Sequence, residues 1–432
     1  MAQVTVLSSG AAGAPAAAPP ACPGCGTGRD PVFLYGLRDI PVQSALLLPD
    51  RAAALGFPRG DLDLLWCPEC GLAYNGRFDP ARVAYGAGYE DSQGASPTFT
   101  AFATELARGW IDRHGLAGGH IVEIGCGKGD FLRLICAEGG CTGAGYDPAY
   151  VPGRAAEPAG VTFRAESFTE AHGPVAADFL VCRHTLEHVG DVAGFLRMLR
   201  RACGAGRGIR LGVEVPDLRR ILAEGAFWDV YYEHASYFTA GALARAVRAA
   251  GFEVLDLRRV YGGQYLVIDA RPAEDGAAQE AAPPLPAAPL PALADDLEET
   301  AALVARFRDT GLARLAGWRD AFAEWERRGL RVALWGSGSK AVGFLTGIGV
   351  PGPVAAVADI NPARHGAFMP GCPVPIAAPA ELAEIAPDVV IAMNAIYRDE
   401  IAADLAGLGL APVLLTADGG PPAERPPGEG GA

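Results

Sequence analysis

The fold of this chain is decided by residues 122–130, which read Val-Glu-Ile-Gly-Cys-Gly-Lys-Gly-Asp. An apolar strand leads into glycines at 125, 127 and 129, and an apolar helical pattern follows at 131–135. Glycines let the backbone turn tightly off the strand and approach a ligand closely. Asp147 follows about twenty residues later, where a carboxylate can accept hydrogen bonds from both ribose hydroxyls of a nucleoside. The stretch therefore predicts a Rossmann-like domain with a nucleoside ligand.

Alternating strands and helices extend this pattern along the chain. After a helix at 99–114, apolar strands are predicted at 179–182, 210–214 and 264–268. A second strand, glycine turn and helix occupies 331–345, followed by a strand ending at Asp359 and one at 388–393. Such alternation builds parallel sheets with helices on both faces. We predict an α/β fold with two Rossmann-like, doubly wound sheets.

Two cysteine pairs precede the first sheet, in Cys22-Pro-Gly-Cys25 and Cys67-Pro-Glu-Cys70. Four thiolates at this spacing suit a tetrahedral Zn²⁺ and leave no coordination position open for a substrate. We predict a small zinc module with a structural metal; four free buried thiols are the alternative.

Composition narrows the class of partner. The chain has 432 residues, 50% of them hydrophobic, and a net charge of −14, which argues against nucleic acid because phosphate binding needs a basic surface. No apolar run is long enough for a membrane span and no signal peptide is evident. Ten cysteines in a chain of this length do not form a disulfide framework. We expect a cytoplasmic protein that acts on a small molecule without contacting nucleic acid or membrane.

The glycine stretch resembles motif I of class I S-adenosylmethionine-dependent methyltransferases, in which an acidic residue precedes a Gly-x-Gly-x-Gly turn. The resemblance implies S-adenosylmethionine as cofactor, with Glu123 and Asp130 beside its methionine part and Asp147 beside its ribose. It places 166–168 over the adenine and 183–188 in the loop after the fourth strand. An oxidoreductase-type or empty α/β domain is the alternative. The cofactor-binding residues implied are Glu123, Gly125, Cys126, Gly127, Gly129, Asp130, Asp147, Glu166, Ser167 and Arg183.

A cluster of titratable groups lies at 231–238, Tyr-Tyr-Glu-His-Ala-Ser-Tyr-Phe. His234 can titrate near neutrality, the carboxylate of Glu233 can orient it, and tyrosines such as Tyr231 can hold a developing enolate oxygen. Such a cluster suits proton removal alpha to a carbonyl, which must precede methylation of carbon. A hydrogen-bonded structural corner is an equally good interpretation of the window alone.

The order of these parts resembles the nucleotide-sugar C-methyltransferase family. The four parts are the cysteine module, the motif I domain, the Tyr-x-Glu-His-x-x-Tyr-Phe segment and a C-terminal Trp-Gly-x-Gly-x-Lys domain, and together they cover about 22–415. The resemblance implies a nucleoside-diphosphate keto-sugar as acceptor, methylated at carbon 3, with His234 as general base and Glu233 and Tyr231 as its neighbours. It implies that His188 faces the keto oxygen, although His184 in the same loop competes for that role.

One segment departs from the family pattern. Where the family has two tyrosines one residue apart, this chain keeps Tyr89 and has Asp91 in place of the second. Because the segment is expected to border the substrate, the acceptor is expected to differ while the chemistry is retained.

The second glycine turn follows a strand and opens a helix, so its backbone amides could hold phosphate oxygens. Lys340 would add a positive charge there, and Asp359 ends the next strand where a ribose contact is usual. A structural lid that has only kept its glycines is the alternative. The candidate substrate-binding residues are Gly336, Gly338, Ser339, Lys340 and Asp359.

The sequence thus predicts an S-adenosylmethionine-dependent C-methyltransferase that acts alpha to a ketone of a nucleotide-activated deoxysugar. O- or N-methylation of another small metabolite and a nucleotide-dependent oxidoreductase stay open as alternatives. The predicted parts are a disordered N-terminus at 1–19, the zinc module at 20–80, the methyltransferase domain at 81–270, a linker at 271–294, a Rossmann-like substrate or lid domain at 295–416 and a disordered tail at 417–432.

Overall fold

A computed structural model describes residues 6–7, 20–204, 208–273, 296–349 and 352–421. Within these ranges the strands are β1 Val6–Leu7, β2 Val32–Pro41, β3 Arg59–Trp66, β4 Ala73–Asn75, β5 His120–Ile124, β6 Thr142–Tyr146, β7 Val161–Arg164, β8 Phe179–Arg183, β9 Arg210–Pro216, β10 Ser236–Tyr237, β11 Phe252–Val260, β12 Tyr265–Pro272, β13 Val332–Trp335, β14 Val354–Ala358, β15 Ile376–Ala377, β16 Val389–Ala392 and β17 Val413–Thr416. The α-helices are α1 Arg51–Leu55, α2 Pro97–His114, α3 Asp130–Gly139, α4 Val192–Ala202, α5 Leu218–Glu224, α6 Ala240–Ala249, α7 Leu297–Arg327, α8 Ser339–Ile348, α9 Leu382–Ile385 and α10 Arg398–Gly407.

The N-terminal part forms an antiparallel sheet in the order β1-β2-β3-β4-β10. Its last strand comes from far along the chain: Ser236 pairs with Tyr74 and Tyr237 with Ala73. The residues that directly follow His234 are therefore part of the sheet that carries the cysteine pairs. The sequence placed this segment in the methyltransferase domain and did not predict the pairing.

The central sheet has seven strands in the order β11-β12-β9-β8-β5-β6-β7, with helices on both faces. All neighbours are parallel except β12, which is antiparallel to both β9 and β11. The prediction that the strand at 264–268 belongs to a wholly parallel sheet is therefore wrong. Only residues 261–264 separate β11 from β12, and a parallel crossover needs a dozen or more.

The C-terminal sheet, in the order β15-β14-β13-β16-β17, is parallel throughout, as predicted. Helix α7 precedes it and buries a stripe at alternating three- and four-residue spacing, which is typical of a helix with one apolar face. The stripe packs into a core shared with β2, β3, α5 and α8. Its buried residues are Val304, Phe307, Leu315, Trp318, Phe322 and Trp325.

The predicted disordered ends, 1–19 and 417–432, and the predicted linker, 271–294, lie mostly outside the described residues, which in these ranges include only 6–7, 271–273 and 417–421. No helix in the described part of the chain combines the length and the apolarity that crossing a bilayer requires.

Candidate active site

A cavity of about 600 Å³ lies where the carboxyl ends of β5 and β13 face each other. Open α/β sheets bind ligands at this edge. The cavity is lined by both glycine turns, by the segment 91–96 and by the side chains of Tyr231 and His234. Both predicted ligand sites thus open into one space, and this volume suits a ligand of drug size or larger.

The first glycine turn is held by backbone hydrogen bonds to the end of β6. The N–H groups of Gly125 and Cys126 donate to the carbonyl of Tyr146 at 2.8 and 3.2 Å, and that of Gly127 donates to Oδ2 of Asp147 at 2.9 Å. Gly125 has a φ of +76°, and a Cβ placed on it would collide with the side chain of Thr185. Glycine is therefore required at 125 by both conformation and space.

A buried acid lies beneath this turn. Glu123 is 2% exposed, and its Oε2 has no hydrogen-bond partner among the described residues. Burial raises the pKa of Glu123 to about 8, against the lowering effect of Arg183. The Arg183 guanidinium lies 3.9 Å from the centroid of the Phe131 ring, and its Nε donates to Oε2 of Glu214 at 2.5 Å.

The structure brings some of the predicted cofactor residues to the cavity and leaves others away from it. Gly129 starts α3 with a φ of +83°. Asp147 meets the glycine turn through its hydrogen bond to Gly127. Glu166 and Ser167 are exposed, and Glu166 faces Arg164 at 3.6 Å and His172 at 3.3 Å. The predicted residues that line the cavity are Glu123, Gly125, Cys126, Gly127, Asp130 and Arg183.

His234 lies on the wall of the cavity and is 5% exposed. Its ring centroid is 4.2 Å from that of Tyr231 and 4.9 Å from that of His188. Burial, together with the nearby imidazoles of His188 and His184, holds the pKa of His234 well below its usual value. Its Nδ1 has no partner among the described residues. The imidazole is therefore neutral at neutral pH, the form that can accept a proton.

Glu233 points away from the cavity. Its Oε1 accepts hydrogen bonds from the backbone N–H of Ser44, at 3.1 Å, and from the Ser44 hydroxyl. Burial raises the pKa of this carboxyl, although His188 and Ser44 oppose the shift. Glu233 thus fixes the backbone beside His234 and does not contact the imidazole through a hydrogen bond.

His188 is positioned through one ring nitrogen. Its Nδ1 lies 2.9 Å from the Tyr85 hydroxyl and 3.2 Å from the backbone oxygen of Glu233. A carbonyl oxygen can only accept, so this contact assigns the proton to Nδ1 and leaves Nε2 for a ligand. Tyr89 packs edge-on against Tyr85 with ring centroids 5.0 Å apart, and burial raises its pKa well above the usual value.

Sequence reasoning missed a group of charged side chains in and next to the loop of His188, formed by His184, Glu187 and Glu214. Nε2 of His184 lies 3.4 Å from Glu214, which is fully buried, and Nδ1 lies 3.5 Å from Glu187. Burial disfavours the charged ring, but the two carboxylates outweigh it and raise the pKa of His184 to about 9. Ligating atoms of Glu187, His188 and His234 lie within 4.8 Å of one another, so they could hold one polar group or metal ion. The available signal was a charged residue, Glu214, inside an otherwise apolar strand.

The second glycine turn is held by the predicted acid. Oδ2 of Asp359 accepts from the N–H and the hydroxyl of Ser337 at 2.8 and 2.6 Å. Lys340 donates to Gln264 at 2.9 Å and lies 3.5 Å from Asp229, and burial lowers its pKa to about 8. All the predicted substrate residues line the cavity, namely Gly336, Gly338, Ser339, Lys340 and Asp359.

The four predicted metal ligands converge. The sulfur atoms of Cys22 and Cys70 are 3.5 Å apart and those of Cys25 and Cys67 are 3.8 Å apart. A tetrahedral zinc with Zn–S bonds of about 2.3 Å separates its sulfurs by about 3.8 Å. The donor set and its spacing therefore fit a zinc ion.

Comparison with known proteins agrees with this architecture. The family described as methyltransferase domain matches residues 99–257, and the family described as C-methyltransferase C-terminal domain matches residues 299–409. C-methyltransferase NovU of Streptomyces niveus is 27% identical in an alignment 381 residues long that covers 82% of this chain and 85% of NovU.

Solved structures share part of the chain's shape. The 1,6-didemethyltoxoflavin-N1-methyltransferase of Burkholderia thailandensis is 20% identical with a TM-score of 0.32, over 41% of this chain and 82% of that protein. The riboflavin-type dimethyltransferase RosA of Streptomyces davawensis is 22% identical with a TM-score of 0.31, over 42% of this chain and 61% of that protein. Likenesses this partial carry no conclusion about the reaction.

The two family matches cover most of the central sheet and most of the C-terminal sheet, in that order along the chain, and the likeness to NovU covers 82% of the chain. The chain is therefore an S-adenosylmethionine-dependent methyltransferase that joins a methyltransferase domain to a C-methyltransferase C-terminal domain.

Proposed function

We propose that this enzyme methylates a carbon alpha to the ketone of a nucleotide-activated deoxysugar. The observation that carries the proposal is the single cavity in which the two glycine turns face each other with His234 on its wall. The match to a C-methyltransferase C-terminal domain and the likeness to NovU support carbon as the methyl acceptor.

The first turn is the proposed cofactor site. Gly125 and Gly127 line the cavity, and Oε2 of Glu123 is a buried oxygen without a partner among the described residues. We assign the ribose to Asp147, the methionine part to Glu123 and Asp130, and the adenine side to Glu166 and Ser167. When bound, S-adenosylmethionine supplies an electrophilic methyl group on a sulfonium.

His234 is proposed as the general base. Its neutral imidazole would remove and hold the proton alpha to the ketone. The resulting enolate carbon could then take the methyl group that the cofactor would supply, with S-adenosylhomocysteine as the leaving group. The phenols of Tyr231 and Tyr89 stay protonated because burial raises the pKa of each, so both can donate hydrogen bonds to the enolate oxygen. Nε2 of His188, which no described residue occupies through a hydrogen bond, is proposed to face the same oxygen.

The second turn is proposed to hold the sugar nucleotide. Helix α8 begins at Ser339 with no side-chain cap, and the N–H of Ala341 donates to the carbonyl of Gly338 at 2.9 Å. The N–H groups of Ser339 and Lys340 are therefore the ones proposed to meet phosphate oxygens. Lys340 adds charge at the same point, and Asp359 keeps the turn in shape through Ser337. The nucleoside then lies on the C-terminal sheet and the sugar extends toward His234.

Zinc is proposed as a structural ion of the N-terminal module. Four thiolates would complete its coordination, so it would take no part in methyl transfer. Its effect would be to hold the edge of the sheet to which β10 is paired.

The test separates binding from chemistry. In the full-length protein, His234→Ala should abolish methylation of dTDP-4-keto-6-deoxyglucose while the affinity for S-adenosylhomocysteine in calorimetry stays within about twofold, because the base lies outside the cofactor site. His120, which is half-buried and does not line the cavity, provides the matched control, and His120→Ala should keep full activity.

Isotope exchange identifies the methylated atom. With S-adenosylhomocysteine in place of the methyl donor, the wild type in D₂O should exchange the proton alpha to the ketone, and His234→Ala should not. Methyl transfer to oxygen or nitrogen without exchange would establish the heteroatom alternative. Binding of a nicotinamide cofactor, with none of S-adenosylmethionine, would reverse the assignment to that of an oxidoreductase.

A further inference from the structure

Asp91, the residue that departs from the family pattern, lies against the cofactor turn. A Cβ built on Gly127 would be 3.3 Å from each of its carboxylate oxygens. The side chain lines the cavity. Apart from its own N–H, no group in the described part of the chain donates a hydrogen bond to this carboxylate. The carboxylate of Asp91 is exposed, borders the cavity and is left free for a ligand.

Two carboxylates, those of Asp91 and Asp147, lie beside Gly127. The carboxylate of Asp147 is hydrogen-bonded to the same Gly127, and enclosure by protein together with that carboxylate raises the pKa of Asp91. Glu123 adds a buried oxygen without a partner. The nearby cation, Lys128, donates to the carbonyl oxygens of Ala87 and Ala149 at 3.0 and 2.6 Å.

A neutral nucleoside does not explain this charge. Ribose hydroxyls need one acceptor carboxylate, and Asp147 provides it. A second carboxylate repelled by the first stabilises the complex only if the ligand brings positive charge to it. Both S-adenosylmethionine and S-adenosylhomocysteine carry an ammonium on the amino-acid part, which is assigned to Glu123 and Asp130. Only S-adenosylmethionine carries a second positive charge, on sulfur, where S-adenosylhomocysteine has a neutral thioether.

We infer that Asp91 binds the sulfonium end of the cofactor and makes the enzyme distinguish the methyl donor from its demethylated product. The inference rests on the proposed cofactor site at Gly127. When the methyl group is transferred, the positive charge on sulfur is lost, and with it the attraction to Asp91. S-adenosylhomocysteine therefore dissociates more readily than S-adenosylmethionine.

Three ligands and two variants test this role in the zinc-replete, full-length protein. The ligands are S-adenosylmethionine, S-adenosylhomocysteine and sinefungin, which has a charged amine in place of the sulfonium. In calorimetry, Asp91→Asn should lower the affinity for S-adenosylmethionine and for sinefungin about tenfold or more. It should change the affinity for S-adenosylhomocysteine less than about threefold. The matched control, Asp147→Asn, should weaken all three ligands alike because it removes a contact to the shared ribose.

Each other outcome counts against the inference. Equal weakening of the three ligands by Asp91→Asn would make Asp91 a contact to the shared nucleoside. A change confined to the KM of the acceptor, with cofactor affinities intact, would assign Asp91 to the acceptor. If Asp91→Asn fails to fold, Asp91→Ser removes the same charge with a smaller side chain. Failure of the wild type to bind any of the three ligands would instead reject the cofactor site itself.

Discussion

Replacing His184 with asparagine should remove a pH-dependent part of the protein's stability. The imidazole lies between Glu214 and Glu187 at 3.4 and 3.5 Å, with its side chain 25% exposed. Its backbone has a φ of +48°, a conformation that asparagine adopts more readily than most residues. His184→Asn therefore removes the charge without adding backbone strain.

The magnitude follows from the raised pKa. In the unfolded chain the ring titrates at 6.5 and in the folded protein at about 9, so the folded state binds the proton more tightly. At about 1.4 kcal/mol per pKa unit, the charged ring contributes about 3 kcal/mol to the free energy of unfolding. Because the folded pKa is the higher one, this contribution is complete below pH 6.5 and is lost as the pH rises through about 9.

Urea unfolding between pH 6 and pH 10 measures the effect. The wild type should exceed His184→Asn by about 3 kcal/mol at pH 6, and the two curves should converge above pH 9. His172→Asn, at a ring that contacts the exposed Glu166, serves as the matched control. A difference between wild type and His184→Asn that is the same at pH 6 and pH 10 would refute the charge assignment.

Three further changes test other parts of the site. Gly125→Ala should abolish binding of S-adenosylhomocysteine in calorimetry, since the new Cβ meets Thr185 and the φ of +76° disfavours alanine; retained affinity would contradict the turn as cofactor cradle. Lys340→Met should raise the KM for dTDP-4-keto-6-deoxyglucose about tenfold and leave the Kd of S-adenosylmethionine unchanged, and an unchanged KM would favour a structural lid. Cys67→Ser should lower the zinc content, measured by mass spectrometry, from about one ion per chain to near zero and lower the Tm; a metal-free wild type would reject the zinc site.

The strands that the sequence predicted correctly are those whose pattern is local. Both β5 and β13 are short, mostly apolar runs that end at a glycine turn, so neighbouring residues in the sequence are enough to predict them. The direction of β12 depends instead on the four-residue connection from β11, which is too short for a parallel crossover. The side chains of a strand do not indicate whether its neighbour is parallel or antiparallel. The apolar stripe of helix α7 is a local pattern of the same kind, because it repeats within one helix.

The candidate site residues also divide into those that a local sequence pattern predicts and those that depend on contacts between distant parts of the chain. The glycine turns and the Glu-His pair were found because each is contiguous in sequence. Glu214 and Glu187 were missed because their role is to contact His184. Glu214 comes from β9, which is distant in sequence, and Glu187 comes from the same loop as His184. Glu233 was predicted to orient His234, but its carboxylate is bound by Ser44, a residue 189 positions away.

The placement of His234 depends on the N-terminal sheet more than on the domain whose sequence contains it. The backbone N–H of Asn75 donates to the carbonyl of Ala235 at 3.0 Å, and its side chain donates to the carbonyl of Tyr232 at 3.2 Å. Ser44 holds Glu233 on the other side. The backbone on both sides of the imidazole is thus held by residues of the cysteine-bearing sheet. A catalytic geometry needs such rigid support, because displacement of a base by about 1 Å costs on the order of a hundredfold in rate. The cysteine module is therefore part of the active-site scaffold, which explains why a structural metal would be retained so far from the chemistry.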